Sequence, residues 1–168
     1  WSDSYINVTS NKTLFATFSV RTFSVRFFDF YNNILKTESV QYNYSATPPS
    51  VPSVLGYHFT GWSISYTQVK ASRDIFAEYD PDTYSVTFKS DDVLKVEQVE
   101  YGDSATAPTV TKAGYRFVGW DSEFDNVTRD ITVNALFTAD TYTVTFLSST
   151  DSPIHNEVVG YMEEASPP

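Results

Sequence analysis

Cysteine is absent from this chain of 168 residues, which excludes disulfides and thiolate metal centres. The absence is compatible with secretion without requiring it. Basic side chains are scarce, with 11 Lys plus Arg against 21 Asp plus Glu and a net charge of −10. That balance argues against nucleic acid or an anionic membrane surface as the main partner. No apolar run approaches the ~20 residues needed to cross a bilayer, so membrane insertion is not expected. The start, Trp1-Ser2-Asp3, has neither the basic nor the apolar stretch of a signal peptide, and the chain reads as a segment of something larger. An amphipathic helix of three turns is also missing.

What is present is aromatic and β-forming. Aromatics reach 17%, too many for a disordered chain, and Tyr, Phe, Val and Thr suit a pleated, half-buried surface. The expected class is mainly β, α+β at most.

The organisation is set by a repeat. Tyr84-Ser-Val-Thr-Phe88 recurs as Tyr142-Thr-Val-Thr-Phe146 and as Phe23-Ser-Val-Arg-Phe27. Gly114-Tyr-Arg-Phe-Val-Gly-Trp120 recurs as Gly56-Tyr-His-Phe-Thr-Gly-Trp62. Trp1 to Phe23, Trp62 to Tyr84 and Trp120 to Tyr142 each span 22 positions. The period is 61 residues from Phe23 to Tyr84 and 58 from Tyr84 to Tyr142. Two of the three extra residues fall in the turn after Phe27 and one between Tyr42 and Gly56, both loop-like places. The expected division is residues 1–21 as the C-terminal part of a repeat, 22–82 and 83–140 as complete repeats 1 and 2, and 141–168 as the N-terminal part of a further repeat.

Within repeat 2, Tyr84, Val86 and Phe88 alternate with polar residues, the period of a half-buried strand. Ser90-Asp91-Asp92 is turn chemistry, and Leu94 to Tyr101 returns as a second strand. Its phase breaks, because Leu94 and Val96 oppose Val99 and Tyr101. Either a bulge or burial on both faces would reconcile them. Ala105 to Ala113 reads as a loop with room for one helical turn. Tyr115 to Trp120 is a third strand whose phase breaks at Gly119. Ile131, Val133, Ala135 and Phe137 form a final strand, echoed by Ile75, Ala77 and Tyr79 and by Leu14, Ala16 and Phe18. Thr138 to Thr141 and Asp80 to Thr83 act as four-residue linkers, short enough to favour an extended rod.

These motifs together resemble the internalin B-repeat family, also called the Listeria–Bacteroides repeat, of bacterial surface proteins. The matching elements are Tyr84-x-Val-x-Phe88, Val99-Glu-Tyr-Gly102, Ala105-Thr-x-Pro108, Gly114 to Trp120 and Ile131-x-Val-x-Ala135. The resemblance implies a small β-grasp-like module of about 58 residues, used in tandem in cell-envelope or secreted proteins. It carries no catalytic motif. Repeat 1 departs from it at Tyr42-Asn43, where repeat 2 has Tyr101-Gly102.

Chemistry is sparse. His58 and His155 occupy different repeat positions, so no base recurs beside a nucleophile as a triad requires. No catalytic residue, cofactor or metal is expected. Asp121-Ser-Glu-Phe-Asp125 faintly resembles the start of a calcium loop, but Asn126 stands where the turn glycine belongs and Thr132 where the closing Glu belongs. Tyr57, Phe59 and Trp62, with Tyr115, Phe117 and Trp120, could stack sugars. Core packing is the stronger reading, because so small a domain needs its large side chains inside. Phe28 and Phe30, in the longer first turn, are read as packing against Tyr31 or as a partner contact. The sequons at Asn7, Asn11, Asn43 and Asn126 read as strand-edge and turn residues.

The expected role is non-catalytic: an extracellular stalk or spacer of a cell-surface or secreted protein, with adhesion as a further role. The alternative is a repeat surface that itself binds a host or envelope protein or a glycan. Neighbouring repeats are the expected immediate partners. The incomplete ends are expected to fray or to complement each other head to tail between molecules.

Overall fold

The computed structural model describes all residues, 1–168. The chain divides into two compact units, Trp1–Asp80 and Pro81–Pro168. It is all β, and no helical turn forms in Ala105 to Ala113, where one was allowed.

The first unit holds a four-stranded sheet made of β1 (Thr22–Phe28), β2 (Ile34–Gln41), β3 (Tyr57–Trp62) and β4 (Arg73–Pro81). Their order is β2-β1-β4-β3, with β1 antiparallel to β2 and parallel to β4. The second unit repeats this with β5 (Thr83–Lys89), β6 (Val93–Glu100), β7 (Tyr115–Trp120) and β8 (Ile131–Ala139), in the order β6-β5-β8-β7. It continues into an antiparallel hairpin of β9 (Thr141–Leu147) and β10 (Pro153–Gly160).

The cores match position by position. Repeat 1 buries Val25, Phe27, Val40, Ala46, Val69 and Ile75, and repeat 2 buries Val86, Phe88, Val99, Ala105, Val127 and Val133. Strand alternation supplies most of these. Ala46 and Val69, like Ala105 and Val127, come from two coil segments laid over one face of the sheet. Backbone bonds zip those segments together: Ala105 N–H to Phe124 O at 2.8 Å, Gly102 N–H to Val127 O at 2.8 Å and Val127 N–H to Asp103 O at 2.9 Å. Ala46–Tyr66, Asn43–Val69 and Val69–Tyr44 do the same in repeat 1. The cover is coil, and its peptide groups are satisfied as buried backbone requires.

The departure at Asn43 is conformationally conservative. Asn43 (φ 67), Gly102 (φ 86) and Met162 (φ 58) all take the left-handed turn after their hairpin, a region that Asn tolerates well. Asn7 also sits in it, at φ 54.

Three expectations are corrected. The phase break in the second strand is neither a bulge nor double burial. Lys95 and Glu97 point inward with buried Val99, while Leu94 and Val96 face outward, 41% and 57% exposed. A bulge does form in β6, where Phe88 and Lys89 pair with Lys95 and Val93 and leave Leu94 as the extra residue, but it lies ahead of the break between Val96 and Val99. The four-residue linkers shrink to one residue each, because β4 runs to Pro81 and β5 starts at Thr83, with Asp82 between. Asp140 alone separates β8 from β9. Finally, Leu14 to Phe18 is not a strand, and Phe18 is 93% exposed. In the complete repeats this strand lies between two others, and residues 1–21 supply neither neighbour.

Gly119 breaks the phase of β7 as expected. The register against β8 slips between Phe117 and Gly119, leaving Val118 as the extra residue, and Gly119 has φ 149. The slip returns Trp120 to the same face as Phe117.

Candidate functional site

The clearest recurring polar feature is a clip between the second strand and the coil that covers the core. Glu97 Oε2 accepts from the Thr106 N–H at 2.7 Å, and Lys95 Nζ donates to Thr106 O at 2.6 Å and pairs with Glu97 at 3.0 Å. In repeat 1, Glu38 accepts from the Thr47 N–H at 2.9 Å, and Lys36 donates to Thr47 O at 2.7 Å. The two residues grip both peptide groups of one threonine, which explains why charged side chains occupy the inward phase. The Thr106 N–H and Lys95 hold the Glu97 carboxyl below its usual range. Lys36 and the Thr47 N–H do so for Glu38. In the last hairpin Glu157 accepts from the Ser166 N–H at 2.7 Å. There His155 replaces the lysine and stacks on Phe146, 6.0 Å between ring centroids. The signal was the Lys-x-Glu spacing in the first two hairpins, which apolar periodicity overlooks.

The second feature is the aromatic row. Trp120 meets Phe88 edge-on at 5.1 Å and Phe117 at 5.3 Å, and Phe117 meets Phe137 at 5.8 Å. Trp62 meets Phe27 at 4.9 Å and Phe59 at 5.5 Å, and Phe59 meets Tyr79 at 5.6 Å. Both tryptophans pack on their cores, as expected. The outer members, Phe59, Phe117 and Tyr115, stay 37–39% exposed.

The two repeats cap the outer end of this row differently. In repeat 2, Lys112 Nζ lies 5.1 Å from the Tyr115 ring centre and 5.8 Å from that of Phe137, and it pairs with Asp91 in the hairpin turn at 2.9 Å. In repeat 1 the residue at that position is Val54. Phe30 from the longer turn contacts the equivalent rings instead, Tyr57 at 5.3 Å and Tyr79 at 5.4 Å. The inserted residues therefore deliver an aromatic ring where the other repeat uses a cation on π faces. Phe30 also meets Tyr31 at 5.2 Å, the packing foreseen for it, and Phe28 stacks on Phe76 at 4.8 Å. Asp29 holds this turn: one carboxylate oxygen accepts from the N–H groups of Tyr31 and Asn33 at 2.9 and 2.8 Å, and the other from Asn33 Nδ2 at 3.0 Å. The Asn33 amide keeps the Asp29 carboxyl below its usual range. The Tyr79 hydroxyl donates to Pro52 O at 2.8 Å; burial, reinforced by the Asp29 charge, pushes its pKa up.

The Asp121 to Asp125 segment does structural work. Asp121 accepts from Asn134 N–H and from Asn134 Nδ2, each at 2.8 Å, and Phe124 packs against Phe88 at 5.2 Å. Ser63 takes the place of Asp121 in repeat 1, accepting from the Phe76 N–H at 3.0 Å. No three His, Asp or Glu side chains converge as a metal-ion shell would, and His58 and His155 lie on different strands, β3 and β10.

The geometry defines a class: a small all-β module, repeated, whose recurrent residues staple its own loops and core. The chain belongs to the Listeria-Bacteroides repeat domain family, whose profile matches residues 23–77 and 84–141. It is also similar to two proteins of Evansella cellulosilytica. One, named "Putative Gly-rich membrane protein", is 27% identical over 99% of this chain and 22% of its own length. Another, named "Putative membrane protein", is 25% identical over 86% of this chain and 25% of its own length. The chain thus spans about a quarter of the curated relatives it matches.

Proposed function

We propose that this chain is a non-catalytic, extracellular spacer segment of a bacterial surface or secreted protein. In this reading tandem modules hold other parts of the protein away from the envelope, and reach grows with copy number. The observation that carries it is the use made of the recurring residues. The core set, the Lys–Glu clip and the tryptophans all serve the module's own fold. What differs between repeats, such as Phe30 against Lys112, changes how a turn is anchored. Family membership and two relatives named as membrane proteins support a surface location. The order β2-β1-β4-β3 with parallel central strands supports a β-grasp-like description, with coil where such folds carry a helix.

The test is scattering from chains with two, four and six modules. Maximum dimension should rise in equal steps, as for an extended rod. A dimension that grows only as the square root of module number, as in a flexible string, overturns the reading.

A second reading is adhesion through the exposed end of the aromatic row, with a glycan or a host or envelope protein as partner. Phe59 and Phe117, 39% and 37% exposed, favour it, since half-exposed rings can stack on a flat ligand. Glycan-array binding lost in Phe117→Ala at unchanged melting temperature would support it. No binding by the wild-type chain would remove the glycan form of it.

A further inference from the structure

Asp140, the one residue between β8 and β9, has both peptide groups committed. Its N–H donates to Gly114 O at 2.8 Å, and its carbonyl accepts from the Tyr161 N–H at 2.8 Å. Tyr161 comes directly after β10 and so belongs to the succeeding repeat. Its ring lies against Gly114 of repeat 2, and a Cβ built on Gly114 would fall inside the Tyr161 ring carbons Cγ, Cδ1 and Cδ2. The same ring meets Tyr115 edge-on at 5.9 Å. Gly114 has φ 74, so glycine is required there twice, once by the backbone and once by the ring.

The tyrosine bond within the hairpin recurs. The Tyr42 N–H donates to Arg21 O and the Tyr101 N–H to Asp82 O, each at 2.8 Å. Every hairpin in the chain thus ends on a tyrosine tied to the residue that opens it.

We propose that the hairpin β9–β10, which opens the succeeding repeat, completes repeat 2. Tyr161 is a working part of repeat 2: it covers Gly114, packs on Tyr115 and couples the opening of β7 and β8 to the hairpin β9–β10. The partner surface is the Gly114-Tyr115 corner, and its ligand is an aromatic side chain of the next copy. The stability of repeat 2 then depends on its successor, the nearest-neighbour behaviour of stacked repeats. This coupling does not rest on the spacer reading and is measured without reference to reach.

The test is amide hydrogen exchange on the 168-residue chain and on Tyr161→Ala, Tyr161→Phe, Gly114→Ala and the Gly114→Ala/Tyr161→Ala double variant. Tyr161→Ala is expected to speed exchange in β7 and β8 roughly tenfold, the scale of one lost aromatic contact. Tyr161→Phe, which keeps the ring, should behave as wild type. Gly114→Ala should be severe in the wild-type chain and milder beside Tyr161→Ala, because the ring it would strike is gone. Exchange in β7 and β8 unchanged by Tyr161→Ala would overturn the proposal. So would a Gly114→Ala penalty equal in both backgrounds, which would leave the positive φ as its only cause.

Discussion

Phe88→Ala is the sharpest test of the core. Phe88 is fully buried and is met edge-on by Trp120 at 5.1 Å and Phe124 at 5.2 Å. Truncating such a side chain typically costs about 3–5 kcal/mol, the lost transfer energy plus a cavity that the sheet cannot fully close. A module of 58 residues has about 3–9 kcal/mol in total at the usual stability per residue. The substitution should therefore remove most of the stability of repeat 2. Since 1 kcal/mol shifts the midpoint of a small domain by about 4–8 °C, the midpoint should fall by at least about 12 °C. Val96→Ala is the matched control. Val96 lies on the neighbouring strand but in the outward phase, 57% exposed, and its truncation should stay within about 0.5 kcal/mol. Urea denaturation monitored by circular dichroism, with hydrogen exchange of β5 against β1 to assign the loss to repeat 2, measures both. A cost below about 1 kcal/mol for Phe88→Ala, or similar costs for the two variants, would refute the assignment of faces on which the core rests.

Three further outcomes are expected. Because Glu38 and Glu97 are held below their usual range, they stabilise the fold above the ordinary glutamate value of about pH 4.3 and lose that contribution as pH falls through their lowered folded values; pH-dependent denaturation of Glu97→Gln should show a shallower acid slope than wild type. Asp29→Ala should lower the urea midpoint of repeat 1, because it strips the N–H groups of Tyr31 and Asn33 of their shared acceptor. Asp121→Ala should lower the melting temperature of repeat 2 and Asp121→Ser much less, since Ser63 does the same work in repeat 1; millimolar calcium should leave the melting temperature of the wild type unmoved in calorimetry.

Strands were legible wherever apolar alternation and core direction coincide. Tyr84 to Phe88 and Ile131 to Phe137 read correctly for that reason, and Gly119 announced its own bulge. The second strand misled because alternation assumes that inward means apolar, and Lys95 and Glu97 face inward to hold Thr106. Leu14 to Phe18 carries the right pattern, but a strand forms only beside a strand. In the candidate site, the aromatic row was visible in Tyr115, Phe117 and Trp120. Its caps were not, because Phe30 and Lys112 reach the same place from opposite directions along the chain. Only the pairing of β7 with β8 and of β3 beside β4 brings those ends together.

The parallel pairing at the centre of each sheet has a consequence for load. The chain enters a module through β1 and leaves it through β4, and these strands lie side by side, running the same way, with Val25 to Phe28 opposite Arg73 to Phe76. Val86 to Lys89 lie opposite Ile131 to Asn134 in the second module. Tension applied through the chain ends draws the two strands past each other along their length. It loads their shared hydrogen bonds in shear, all at once, where a hairpin pulled at its open end would peel one bond at a time. The unfolding rate governs survival under such a pull, and its barrier lies in the few residues of the parallel seam.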